Sequence, residues 1–152
     1  MTSQENPKTV ELYGGGLQHE ADALGAITPG MLVERAAGGV QAHGTAGGPA
    51  NLHFAKEFGM TGRGLDDAYA EDDQVIFCTY YPGSGVYALV AAGAEAIAEG
   101  DLLASAGDGT LAVAGADEVA VAQALEAVDN SAGEDSVRIR VEVVSAHRTD
   151  PA

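Results

Sequence analysis

The chain has 152 residues, of which 7 are lysine or arginine and 23 are aspartate or glutamate, for a formal net charge of −16. That length fits one compact domain or two very small ones, and the scarcity of basic residues excludes a broad surface for gripping nucleic-acid phosphates and disfavours an anionic membrane surface. A single cysteine cannot form an intrachain disulfide, and no apolar run approaches the roughly 20 residues of a membrane helix.

Residues 1–16 read as an arm. The opening Met1-Thr-Ser-Gln-Glu-Asn-Pro-Lys8 lacks a basic-then-apolar signal pattern, so an unexported protein is expected. Thr9-Val-Glu-Leu-Tyr13 alternates like a short strand with Val10 and Leu12 on one face, and Gly14-Gly15-Gly16 reads as a flexible hinge. A lone strand carries unpaired backbone groups, and two fates would satisfy them. Thr9, Val10, Glu11, Leu12 and Tyr13 can add to the edge of another subunit as a contact segment or fold back as an edge strand of their own barrel, and the remaining alternative is a disordered arm.

Residues 17–146 read as a β-rich body and 147–152 as a C-terminal tail. Gln74-Val-Ile-Phe-Cys-Thr-Tyr-Tyr81 is continuously apolar or aromatic, the pattern of a strand covered on both faces. Pro82-Gly-Ser-Gly85 then predicts a hairpin turn into Val86-Tyr-Ala-Leu-Val90. Gly107-Asp-Gly109 marks a second hairpin between Leu102-Leu-Ala-Ser105 and Thr110-Leu-Ala-Val113. The alanine-rich stretch from Glu118 to Val128 has helical propensity. Its valines and alanines nevertheless alternate with the period of a strand, which is the reading taken. In Val137-Arg-Ile-Arg-Val-Glu-Val143 the valines and isoleucine share one face and the charges the other.

The two halves echo one another. Ile27-Thr-Pro-Gly-Met-Leu-Val33 matches Ile97-Ala-Glu-Gly-Asp-Leu-Leu103 at an offset of 70, and Gly39 then matches Gly109. Glu71-Asp-Asp-Gln-Val-Ile-Phe77 matches Gly133-Glu-Asp-Ser-Val-Arg-Ile139 at an offset of 62, which places about eight extra residues near Gly62–Tyr69 of the first half. The expected class is all-β: a small barrel or sandwich of short hairpins, built as two repeated β units plus the extended arm.

Composition adds an environment. Alanine accounts for 29 residues, leaving 41 larger apolar side chains for a thin core, and lysine occurs only at Lys8 and Lys56. Sixteen uncompensated charges repel at low salt and are screened at molar salt, where the Debye length falls to about 3 Å. The combination points to a halophilic cytoplasm or brine.

Chemistry is hard to find. His19, His43, His53 and His147 show no zinc spacing, and no cysteine pair exists. Cys78 sits in the most apolar run, as a structural thiol does. There is no Gly-x-Ser-x-Gly elbow and no Gly-Lys-Ser/Thr phosphate loop. Asp101 and Asp108 lie beside glycines, Asp117 lies two residues after Gly115, and all three are read as turn residues rather than cation ligands. Tyr80, Tyr81 and Tyr87 flank one hairpin, where core packing and a protein-contact patch are the open alternatives. No catalytic residue, metal or cofactor is assigned.

With its glycine-turn hairpin, Ile27-Thr-Pro-Gly30-Met-Leu-Val33 resembles the opening of capsid decoration, or head cement, proteins of tailed viruses. Ala94-Glu-Ala-Ile-Ala-Glu-Gly100-Asp-Leu-Leu103, Val119-Ala-Val-Ala-Gln-Ala-Leu125 and the closing Val137-Arg-Ile-Arg-Val141 continue that likeness. It covers roughly residues 25 to 144, departs at Glu118 where the family usually has glycine, and leaves the arm and residues 52–69 unmatched. The resemblance implies a non-enzymatic virion protein on the outer capsid surface, often a homotrimer at three-fold positions. Its partner would be the major capsid protein, whose subunits it bridges, with no nucleic acid and no membrane. Together with the acidity it implies a tailed virus of a halophilic archaeon. A halophilic tail, spike or surface-layer module would be served by the same features. A small-barrel enzyme using carboxylates and a divalent ion stands third.

Overall fold

The computed structural model describes residues 6–151, and the fold is all-β. In chain order the strands are β1 (Glu11–Tyr13), β2 (Gly16–Asp22), β3 (Val33–Ala36), β4 (Gly39–Ala42), β5 (His53–Ala55) and β6 (Gln74–Tyr80). The second half supplies β7 (Gly85–Val90), β8 (Leu102–Ser105), β9 (Leu111–Val113), β10 (Val119–Ala124) and β11 (Val137–Arg148). A 3-10 turn at Gly59–Thr61 is the one helical piece among the described residues.

The pairing is repeated. β6 lies between β2 and β5 in the first unit, as β11 lies between β7 and β10 in the second. Each unit closes with a parallel contact, Ala23 opposite Val40 in one and Val90 opposite Leu111 in the other. Each also has an isolated antiparallel bridge from the isoleucine of its opening turn, Ile27 to Tyr69 and Ile97 to Val128. The turns need glycine for a backbone reason: Gly30 and Gly100 have φ of 97° and 93°. The repeat's last strand is shifted from the sequence alignment. Ala55 faces Phe77 where Ala124 faces Val141, so Phe77 corresponds to Val141 and not to Ile139. The side-chain parity survives a shift of two, which is why alternation could not detect it. The extra length of the first unit falls between β5 and Tyr69, and carries the 3-10 turn.

One expected pairing is absent. β6 and β7 do not form a hairpin, because each finds its partners within its own unit. Tyr81–Ser84, with Gly83 at φ 97°, is a corner from one sheet to the other, closed by the Ser84 N–H donating to the Tyr81 carbonyl at 3.1 Å. The strand reading of 118–128 holds as β10, where tertiary pairing on both sides outweighs alanine's helical propensity.

β6 is covered on both faces as its apolar run requires. Val75 and Phe77 join Ala23, Ile27, Val33, Val40, Ala55 and Tyr69 in one cluster. Cys78 and Tyr80 join the larger cluster of Phe54, Leu103, Leu111, Val121, Ile139, Val141 and Val143 between the sheets. The arm belongs to that larger cluster too. β1 pairs with β7, Glu11 opposite Val86 and Tyr13 opposite Gly85, and Val10 is fully buried. Of the fates open to residues 9–13, the chain adopts the fold-back. The proposed boundary at 147 runs through β11, and Thr149 N–H still bonds the Glu118 carbonyl at 2.8 Å, so the tail is paired as well.

Candidate functional site

The triglycine is a packed corner. Gly14 has φ 81°, and a Cβ on it would collide with Ser84, while a Cβ on Gly16 would overlap the Thr79 carbonyl. The Gly15 carbonyl accepts from Tyr81 N–H at 2.9 Å and from the Ser84 hydroxyl at 3.0 Å. The β1–β2 bend therefore nests against the β6–β7 bend, and the absence of side chains is what lets the two backbones touch.

Three exposed apolar residues flank the nested bends. Tyr13 lies over Gly85, where a Cβ would fall on its ring. Tyr81, 57% exposed, hangs from the neighbouring bend, and Leu17 stands opposite Thr79 one residue past the corner. These three, with Met60, are the exposed large hydrophobics of the described residues. Of the three tyrosines singled out in the sequence, Tyr81 has the exposure of a contact residue and Tyr87 is half-buried. Tyr80 is only 2% exposed and belongs to the core. In a run apolar on both faces, strand parity alone does not say which side is sealed.

The arm is pinned by polar as well as apolar contacts. The Val10 carbonyl accepts from Tyr87 N–H at 2.7 Å, and Val10 N–H donates to Glu57 Oε1 at 2.9 Å. Thr9 Oγ1 donates to the Glu11 carbonyl at 2.9 Å, and Glu11 pairs with Lys56 at 3.6 Å. Leu12, expected to share Val10's burial, is half-covered. Among the described residues the buried Tyr80 hydroxyl has no hydrogen-bond partner, although Glu11, Glu57 and Cys78 lie near it. Burial first, then Cys78, Glu11 and Glu57, hold its pKa far above the ordinary tyrosine range.

Three histidines sit in polar settings whose geometry is structural. His43 Nε2 lies 2.8 Å from the Pro49 carbonyl, which can only accept, so that nitrogen carries the proton. Its Nδ1 then accepts from Ser105 Oγ at 2.7 Å, and Ser105 in turn accepts from Gly107 N–H at 3.1 Å. A serine whose proton is committed to a histidine suggests a nucleophile, yet both side chains are buried. The pair joins the end of β4 to β8, tying the two units. Thr79 Oγ1 bridges His19 Nε2 at 2.9 Å and His53 Nδ1 at 2.7 Å. Burial first, then Arg35 and His19, lower the His53 pKa. Arg35 stands 5.0 Å above the Phe77 ring.

Cys78 is buried, and desolvation raises its thiol pKa, the opposite of an activated thiolate. Asp101 accepts from Ala98 N–H at 2.9 Å and Asp108 from Thr110 N–H at 3.1 Å, so these aspartates serve their own turns. Asp117, at φ 60°, meets Arg148 at 3.4 Å. Among the described residues no group of three or more His, Cys, Asp or Glu could hold a metal ion.

Sequence reasoning missed Arg138. On the outward face of β11, it donates to the Pro29 carbonyl from Nε at 3.1 Å and Nη2 at 3.0 Å, and to the Leu65 carbonyl at 2.5 Å. Those acceptors belong to first-unit loops more than seventy positions away, and nothing local signals them. No family model matches the chain, and no curated protein matches it.

Proposed function

We propose that this chain is a non-catalytic virion protein that decorates the outside of an icosahedral capsid and bridges subunits of the major capsid protein. In this reading the virus is a tailed virus of a halophilic archaeon, and the chain sits as a trimer at three-fold positions. The observation that carries the reading is where the residues of the family likeness fall. Ile27 and Gly30, and again Ile97 and Gly100, sit at the same joint of two repeated β units. The exposed corner of Tyr13, Leu17 and Tyr81 supports it as apolar surface of the kind enriched at protein interfaces. The net charge of −16 supports the saline setting.

The test is mass spectrometry of density-purified virus particles from the source, read as copies relative to the major shell protein. A ratio near one per shell subunit is expected. Absence from the particles overturns the reading, and a handful of copies per particle moves the protein to a tail or spike. Imaging tests the placement: density confined to two-fold axes rejects the three-fold trimer.

A further inference from the structure

The two units differ at one edge. In the second, β7 is satisfied on both sides: β11 pairs along one, and the other is filled piecewise. Tyr87 N–H donates to Val10, Leu89 N–H to Gly30 at 3.0 Å, and Ala91 N–H to Leu111 at 2.9 Å. Aligning the parallel closures Ala23–Val40 and Val90–Leu111 sets Gln18, Glu20, Asp22 and Leu24 in the places of Gly85, Tyr87, Leu89 and Ala91. Leu24 has the corresponding bond, to Val40 at 2.9 Å. The others do not. The bonds of Tyr81 N–H to Gly15 and Ala23 N–H to Asp73, at the two ends of the ladder, show that odd residues of β2 bond β6. Gln18, Glu20 and Asp22 therefore turn their N–H groups outward; Asp22 is backed by Gly39 of β4, and among the described residues no strand pairs beside Gln18 and Glu20.

We propose that the outer edge of β2 is a docking site for an extended segment of another protein, alternating apolar and basic residues. The arm on β7 shows what such an edge accepts in this fold, and β2 is the same edge without its strand. Nothing blocks it. Seven residues pair with β6 in unbroken register, with no proline, lysine or bulge. Charge selects the occupant. Two β2 strands side by side would set Glu20 and Asp22 of one copy against those of another, each copy already at −16, so self-pairing is disfavoured. A lysine or arginine on the incoming strand meets those carboxylates favourably. A groove of about 310 Å³ lined by Gln18, Ile76, Phe58, Met60, Lys56 and Glu57 lies on the β6 side of β2. The other unfilled edges are poorer: β1 has three residues, and on the end of β11 the Ser145 carbonyl is taken by His147 Nδ1 at 2.8 Å. The site is argued from the chain alone and rests on the capsid reading only if the segment is assigned to a shell subunit.

The probe is a synthetic peptide alternating lysine and valine, added to the full chain, with amide exchange followed residue by residue by NMR. Slowing of exchange by about tenfold at Gln18 and Glu20 is expected. Glu20→Pro removes one outward donor and leaves the β6 ladder intact, so it should weaken the peptide by a similar factor with Tm little changed. Methylating the peptide's backbone nitrogens on alternate residues should do the same, and that control needs no variant to fold. Protection at 145–148 instead, or equal affinity for the methylated peptide, means charge adsorption without strand pairing and overturns the proposal. Particles lacking this protein would sink the capsid reading and leave the peptide result untouched.

Discussion

Protonation of His53 is opposed by burial first and then by Arg35 and His19. A folded-state pKa below the unfolded value of about 6.5 means the unfolded chain binds more protons in that window. The neutral ring's contribution is thus whole above about pH 6.5 and is lost as pH falls further. Carboxylate titration acts on the whole chain, so the informative quantity is a difference. Between about pH 7 and 5, Tm of the native chain should fall by a few degrees relative to His53→Gln, read by calorimetry. Identical pH slopes would show that the His19–Thr79–His53 bridge tolerates a charge. Tyr80 carries the opposite sort of burden, a sealed hydroxyl without a partner. Removing such a group spares its desolvation, so Tyr80→Phe should raise stability by about 1 kcal/mol, measured by chemical denaturation.

The arm shows how an element's role depends on contacts its own sequence cannot display. Alternation in Val10-Glu-Leu-Tyr13 correctly marks a strand, and the glycines mark a bend. Whether Val10 meets its own core or a neighbour depends on Phe54, Tyr80 and Val86, which lie far along the chain. The same division runs through the fold. Strands β6, β8, β9, β10 and β11 were legible because alternation and turn glycines are local signals. The supposed β6–β7 hairpin was wrong because partner choice is long-range, and a turn sequence reads alike whether it closes a hairpin or crosses between sheets. Of the candidate site, the sequence singles out Tyr81 only together with Tyr80 and Tyr87, with core packing and contact both open, whereas Tyr13 and Leu17 come to flank the same pair of bends only through the nested corners. Deleting residues 1–13 would uncover the β7 edge and the space Val10 fills, so it should lower Tm and speed exchange of the Tyr87 amide. Val10→Ala alone should cost about 2 kcal/mol. A truncated chain with unchanged Tm would show the arm's docking to be energetically idle.

At the scale of the molecule, thin apolar content and large charge act together. Ion pairs join Lys56 to Glu11, Arg63 to Asp73, Arg138 to Asp66, Arg140 to Glu126 and Arg148 to Asp117, and most carboxylates remain uncompensated. Several stand on exposed loops, among them Glu95, Glu99, Glu134 and Asp135. The unfolded chain carries the same charges at greater separation, so their repulsion weighs against the folded state. Raising potassium chloride from about 0.1 to 1 M shortens the Debye length from about 10 to 3 Å, and Tm should climb over that range. Screening alone would level off there, whereas a continued rise at higher salt would point to strengthened apolar burial. Replacing Glu95, Glu99 and Glu134 by Gln and Asp135 by Asn removes four exposed charges that form no ion pair among the described residues, and should flatten the first part of the curve while leaving the second unchanged. A native chain whose Tm is equal or higher at 0.1 M would reject the saline reading, because the self-repulsion it rests on would then be too weak to matter.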